Sequence, residues 1–263
     1  MIRVCNLGVT FGAGTPLEKR ALNGIDLTIE EGEFVTLIGS NGAGKSTLLG
    51  AVAGDVSASE GTITIGDADV TRWGTARRAG LVARVFQDPL AGSCGGLSIA
   101  ENLALAVARG TRRGLGGALS AERRALFRER IAPLGLGLEN RLEDQMGQLS
   151  GGQRQAVSLV MATLTDSRVL LLDEHTAALD PHMAEFVLDL TVRVQRELSL
   201  TTLMVTHSMR QALDVGTRTV MLHEGKVVLD VRAEERAGLT VADLVAMFSK
   251  VRGQEIADDA LLL

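Results

Sequence analysis

The stretch Gly39-Ser40-Asn41-Gly42-Ala43-Gly44-Lys45-Ser46-Thr47 limits the possible folds of this chain more than any other. It fits the pattern G-x-x-x-x-G-K-[ST], a phosphate-binding loop. The motif needs a strand before it and a helix after it. The apolar run from Phe34 to Ile38 supplies the strand, and Ser46 to Val52 reads as the helix start. Glycines let successive backbone N–H groups curl into a nest around an anion. The helix N-terminus adds further donors and a partial positive charge. A helix end contributes only ~0.3–1 kcal/mol at an exposed site. A triphosphate needs more, which Lys45 and a Mg²⁺ held by Ser46 would supply.

Other function classes are excluded or made secondary by composition. The chain has 263 residues, 46% of them apolar, enough for a proper core in one domain or two subdomains. No apolar run is long enough to cross a bilayer, and Met1 to Cys5 has no signal-peptide layout. The expected location is therefore the cytosol, with any membrane attachment made through a partner. A net charge of −5 and 3% aromatics argue against a nucleic-acid partner. Cys5 and Cys94 lie far apart and read as free thiols, and the four histidines form no metal pattern.

Along the chain, Ile2–Leu7, Ile25–Ile29 and Thr62–Ile65 read as strands. Phe11 precedes a flexible turn and suits either the core or a stack on a base. Arg72, Arg77, Arg78 and Arg84 read as a solvated basic face. The strand ending at Gln87 gives way to a loop, Asp88 to Ser93. Ser98 and Glu101 form a capping box before a helix whose face is Ile99, Leu103, Ala106 and Val107. Glycines and arginines from Arg109 to Gly117 break that pattern, and a helix resumes from Ser120 to Ile131.

Leu149-Ser150-Gly151-Gly152-Gln153 holds a second capping box, Ser150 with Gln153, ahead of a buried stripe at Ala156, Val157, Val160, Met161 and Leu164. Taken alone, it is a well-capped helix. Val169 to Leu172 is a wholly apolar strand ending in Asp173 and Glu174, as expected inside a covered parallel sheet. Ligands of doubly wound sheets sit at the carboxyl ends of the strands, which brings both acids toward the phosphate loop. Asp180 and Pro181 read as N-cap and first residue of another helix. Thr201–Thr206 is a strand ending at His207, and Arg218–Leu222 with Lys226–Asp230 reads as a hairpin. Thr240 to Lys250 reads as a last helix before a tail expected to fray.

The order of phosphate loop, Gln87, Leu149–Gln153, Asp173-Glu174, Asp180 and His207 closely resembles the ATP-binding cassette ATPases. LSGGQ is that family's own signature. The resemblance covers about residues 1–225. It implies an α/β fold: a P-loop NTPase (RecA-like) core with an N-terminal antiparallel β subdomain and an inserted α-helical subdomain. Residues 1–88 and 166–225 would form the core, 89–165 the helical insertion and 226–263 a short C-terminal extension.

The resemblance also implies two ATP molecules sandwiched in a homodimer. Gly39 to Thr47 would cradle the phosphates, with Lys45 on the β- and γ-phosphates and Thr47 on the α-phosphate. Ser46, Gln87 and Asp173 would hold Mg²⁺. Phe11 would stack on adenine. Glu174 would be the general base, His207 would hold the γ-phosphate and the water, and Gln87 would sense both and signal to a membrane partner. Ser150, Gly151, Gly152 and Gln153 would clasp the partner's ATP, and Asp180 would bridge the two subunits.

Two positions depart from the family pattern: His175 stands where proline is common, and Thr165–Arg168 lacks a proline often found there. For His175 a structural role is expected. The implied partners are integral-membrane permease subunits, received near Gln87 to Leu105, and a separate solute-binding protein. The implied location is the cytoplasmic face of the plasma membrane. The implied function is uptake of a small organic solute such as an amino acid-like compound. The rivals are the ATPase of an export or lipid-extraction system, and a soluble cassette acting on ribosomes or DNA.

Overall fold

In the computed structural model, which describes residues 1–110 and 117–250, the chain begins with an interrupted alternation. In β1 (Ile2–Phe11), Ile2 and Val4 are buried while Arg3 and Cys5 face out. Asn6 takes a left-handed φ of 46°, the register shifts, and Leu7 and Val9 return to the core. β1 pairs antiparallel with β2 (Lys19–Ile29) on one side and, after β3 (Phe34–Gly39) and α1 (Lys45–Ala53), with β4 (Glu60–Ile65) on the other. With β5 (Ala68–Asp69) these make a four-stranded sheet of order β2-β1-β4-β5. β1 and β2 run beyond the apolar segments because pairs outside them, such as Thr10–Arg20 and Phe11–Lys19, continue the ladder.

After α2 (Thr75–Arg78) and β6 (Val82–Val85), the described residues of 98–163 contribute helices and no named strand: α3 (Ile99–Val107), α4 (Ala121–Ile131) and α5 (Gly151–Thr163). The capping boxes at Ser98 and Ser150 are both formed, with side chain and backbone bonded in each direction. The expected break between Arg109 and Gly117 falls mostly on residues 111–116, outside the described part.

β7 (Val169–Asp173), α6 (Pro181–Leu198), β8 (Thr201–Val205), α7 (Met209–Asp214), β9 (Arg218–His223) and β10 (Lys226–Val231) complete a six-stranded sheet of order β10-β9-β3-β8-β7-β6. β3, β6, β7, β8 and β9 are parallel and β10 returns antiparallel. α8 (Ala233–Arg236) and a helix over 241–250 follow; the tail 251–263 lies outside the described residues.

The unbroken apolar runs of β7 (Val169–Leu172) and β8 (Leu203–Val205) are explained by burial on both faces. Leu170, Leu172 and Met204 enter a core shared with α3, α4 and α5. Val169, Leu171, Leu203 and Val205 enter a second core shared with α1 and the antiparallel sheet. Successive residues of one strand thus serve two cores.

The basic stretch needs correction. Arg78 is 1% exposed. Its guanidinium donates to the carbonyls of Ala51 and Val52 at the end of α1, and to those of Val70 and Trp73. The last turn of a helix leaves carbonyls without intrahelical donors, and Arg78 satisfies two of them. Arg84 is also largely covered and ion-paired.

Candidate active site

β3 ends at Gly39 and the chain turns through Ser40–Ala43 into α1. Gly44, at the N-cap of α1, has φ 101°. A Cβ there would lie 2.7 Å from the Ala21 carbonyl oxygen and 2.8 Å from a Leu22 methyl. Conformation and space both demand glycine, because β2 passes directly behind the loop. Lys45 Nζ donates to the carbonyls of Gly39 (2.8 Å) and Ser40 (2.9 Å). Its ammonium is thus folded across the loop. Burial pushes the Lys45 pKa below its ordinary value, against the opposing pull of Glu174 and Asp173.

The loop opens into a cleft of about 240 Å³ lined by Phe11, Asn41–Thr47, Glu174 and His207, with Lys19 and Ala21 alongside. Three sequence-distant regions therefore meet at the carboxyl ends of β3, β7 and β8. Phe11 is 45% exposed at the end of β1, which removes the core reading and leaves its ring on the cleft. Lys19 and Ala21 carry no motif; only their place on β2 beside the loop brings them in.

Glu174 leaves β7 with a left-handed φ of 47°, a conformation that costs a non-glycine residue and persists only where surroundings enforce it. Its N–H donates to Val205 O, and its carboxylate lies 2.6 Å from His207 Nε2. Gln211 ties the same two segments together: it accepts from Thr206 Oγ1 and donates to Thr176 Oγ1. His175, beside Glu174, points away into the core, 2% exposed, with Nε2 2.9 Å from Thr191 Oγ1. Thr191 gives its hydrogen to Val187 O, so His175 Nε2 is the donor. Desolvation lowers its pKa to about 4, so it is neutral at pH 7.

Asp173 is the last residue of β7, its side chain 14% exposed and paired with Arg84 at 2.8 Å. Among the described residues no three His, Cys, Asp or Glu side chains converge as a metal cage. The oxygen donors near the loop are instead few: the Ser46 and Thr47 hydroxyls and the Glu174 carboxylate line the cleft, and Asp173 precedes Glu174 at the end of β7. Hard oxygen donors in small number suit Mg²⁺, which takes its other ligands from phosphates and water.

The remaining predicted site residues lie outside the cleft. Ser150 and Gly151 are exposed at the N-terminus of α5, with Ser150 Oγ accepting from Gln153 N. Gly152 is buried where α5 crosses the start of α6; a Cβ there would meet the Met183 side chain at 2.5 Å. Asp180 caps α6 by accepting from Met183 N at 3.1 Å. Gln87 is exposed just beyond β6. Next to it a second cleft, of about 470 Å³, runs between the 89–94 loop, α3 and α5, lined by Phe86, Pro89, Ser93, Leu105, Ser158 and Met161 among others.

A parallel sheet with a glycine-rich loop feeding a helix, a carboxylate pair on a neighbouring strand and a histidine on the next define a P-loop nucleoside triphosphatase. The family model described as ABC transporter matches residues 22–177, and this chain belongs to that family as an ATP-hydrolysing cassette. It is 42% identical over 248 residues to the tyrosine transport ATP-binding protein of Clostridioides difficile (strain R20291), covering 94% of this chain and 98% of that one. It is 35% identical to the thiamine import ATP-binding protein ThiQ of Shigella flexneri serotype 5b (strain 8401), covering 80% and 85%. Its structure resembles the ATP-binding cassette MJ0796, solved as a dimer in a post-hydrolysis state with ADP and phosphate. That likeness has a TM-score of 0.77 and 29% identity, and covers 89% of this chain and 99% of that one.

Proposed function

We propose that this chain energises uptake of a small organic solute of amino-acid type, as half of a homodimer that closes on two ATP molecules beneath a membrane permease. The observation that carries the reading is a separation. Phe11, the phosphate loop, Glu174 and His207 share one cleft, whereas the exposed N-terminus of α5 with Ser150 and Gly151 lies outside it. Backbone donors at a helix start suit a phosphate. A second copy of the chain supplies the phosphate they lack. Two distinct ATP-binding halves then meet only when both chains are present.

Within each cleft, Lys45 leaves the loop carbonyls to neutralise phosphate charge. Glu174 takes a proton from the attacking water, and base catalysis of this kind contributes about 10²–10⁴-fold. His207, at hydrogen-bond distance from Glu174, holds that pair in register with the γ-phosphate. Asp180 meets the opposite chain. Ser46, Gln87 and Asp173 would hold Mg²⁺, which when bound would neutralise charge at the phosphates. Contacts made only in the closed state set the work available per cycle.

The second cleft, beside Gln87, receives the permease. Among the described residues no helix is long and apolar enough to cross a membrane, so attachment at the cytoplasmic face comes through that partner. The relative named for thiamine import supports an import direction, and the one named for tyrosine transport an amino-acid-type solute; a separate solute-binding protein completes the proposed system. Affinity purification of the tagged chain from detergent-solubilised membranes tests this. Stoichiometric recovery of a multi-span protein, with ATPase activity raised by a cognate solute-binding protein, is expected. Recovery with ribosomes or DNA and no membrane protein would overturn it.

A further inference from the structure

We infer that Arg84 is a positioning residue for the metal-binding carboxylate, held in place by Asp55; the inference rests on the assignment of Asp173 to Mg²⁺. Arg84 lies on β6, one strand away from Asp173. Parallel pairing sets Arg84 opposite Leu171. Side chains two apart share a face of the sheet, so Arg84 and Asp173 are on the same side. The guanidinium fork is divided between two acids: Nη2 donates to Asp173 Oδ2 at 2.8 Å, and Nη1 to Asp55 Oδ2 at 2.5 Å. Its plane is further fixed by the Phe86 ring, 4.5 Å away. Asp55 is itself anchored. It follows the left-handed Gly54 that ends α1, and its other oxygen accepts from Thr75 Oγ1 at 2.7 Å.

The arrangement connects both ends of the phosphate-loop helix to the site. α1 begins at the loop, ends at Gly54, and through Asp55 and Arg84 reaches back to Asp173. Arg84 has two opposing effects on a cation at Asp173. Its charge repels the cation, and its hydrogen bond fixes the carboxylate. Asp55 offsets the charge at close range, and Arg84 and Asp173 are only 16% and 14% exposed, so the bond is well shielded from water. Orientation therefore dominates. Partners of this kind, one bond removed from a metal, typically change its affinity by about 10–100-fold when removed.

The test measures metal binding without turnover. Mn²⁺ binding to the chain saturated with a non-hydrolysable ATP analogue is followed by electron paramagnetic resonance, and analogue binding is measured separately in EDTA. Arg84→Met keeps the stem against Phe86 and removes the fork. It is expected to raise the Mn²⁺ dissociation constant about tenfold, with Arg84→Lys intermediate and analogue affinity in EDTA unchanged. Mn²⁺ binding that is unchanged or tighter in Arg84→Met overturns the inference. If R84M fails to fold, Asp55→Asn, which frees Arg84 from its anchor, must also weaken Mn²⁺ binding, and unchanged binding there overturns it equally. Absence of analogue binding to the unsubstituted chain with Mg²⁺ present would strike the nucleotide site itself.

Discussion

Single side chains show which groups bind and which only support. Phe11 stands half exposed on the cleft, and the proposed stack of its ring is on the base. Phe11→Ala is therefore expected to weaken ATP binding by roughly 10-fold, the loss of one stacked base of about 1–3 kcal/mol. Inorganic triphosphate binding should be unchanged, and competition assays with both ligands measure the difference. His175 behaves oppositely. Its folded pKa of about 4 lies below the ordinary 6.5, so its neutral form stabilises the fold fully above pH 6.5. That contribution is lost as pH falls from about 6.5 toward 4, and amounts to about 3 kcal/mol for a shift of this size. In His175→Gln, the drop in unfolding temperature over that window should be smaller than in the unsubstituted protein. Calorimetry at stepped pH gives the comparison.

Elements were legible in the sequence where a local signal and the tertiary environment agree. The capping boxes at Ser98 and Ser150 and the Asp180–Pro181 start of α6 needed only neighbouring residues, and each forms as read. The strand at Val169–Leu172 was apolar on both faces because two cores claim it. What escaped was non-local. Arg78 looks like any surface arginine in the run Arg77-Arg78, yet it closes the end of α1 from another element. Arg84 carried no signal of its ion pairs, since Asp55 and Asp173 are brought to it only by the fold. Arg236, in the C-terminal part, similarly donates to carbonyls at Ala212, Leu213 and Val215 around the end of α7. Arg78→Ala would leave several buried carbonyls unsatisfied, at about 1–3 kcal/mol each. It is expected to lower stability by roughly 3 kcal/mol or more in denaturant titration, far beyond what Arg77→Ala costs at the surface.

At the scale of the molecule, the candidate site was legible as far as its motifs extend. The phosphate loop, Glu174 and His207 converge as their places at strand ends implied. The signature helix and Asp180 do not join them, which sequence spacing alone could not decide, because spacing along a chain does not say whether two motifs serve one pocket or two. The account turns on that division between chains. It is tested by sedimentation of Glu174→Gln with Mg²⁺ and ATP, alone and with a bulky charge added by Ser150→Arg at the exposed helix start. The account predicts an ATP-dependent dimer for Glu174→Gln and a monomer that still binds ATP for the double variant. Dimerisation to the same extent in both would contradict it.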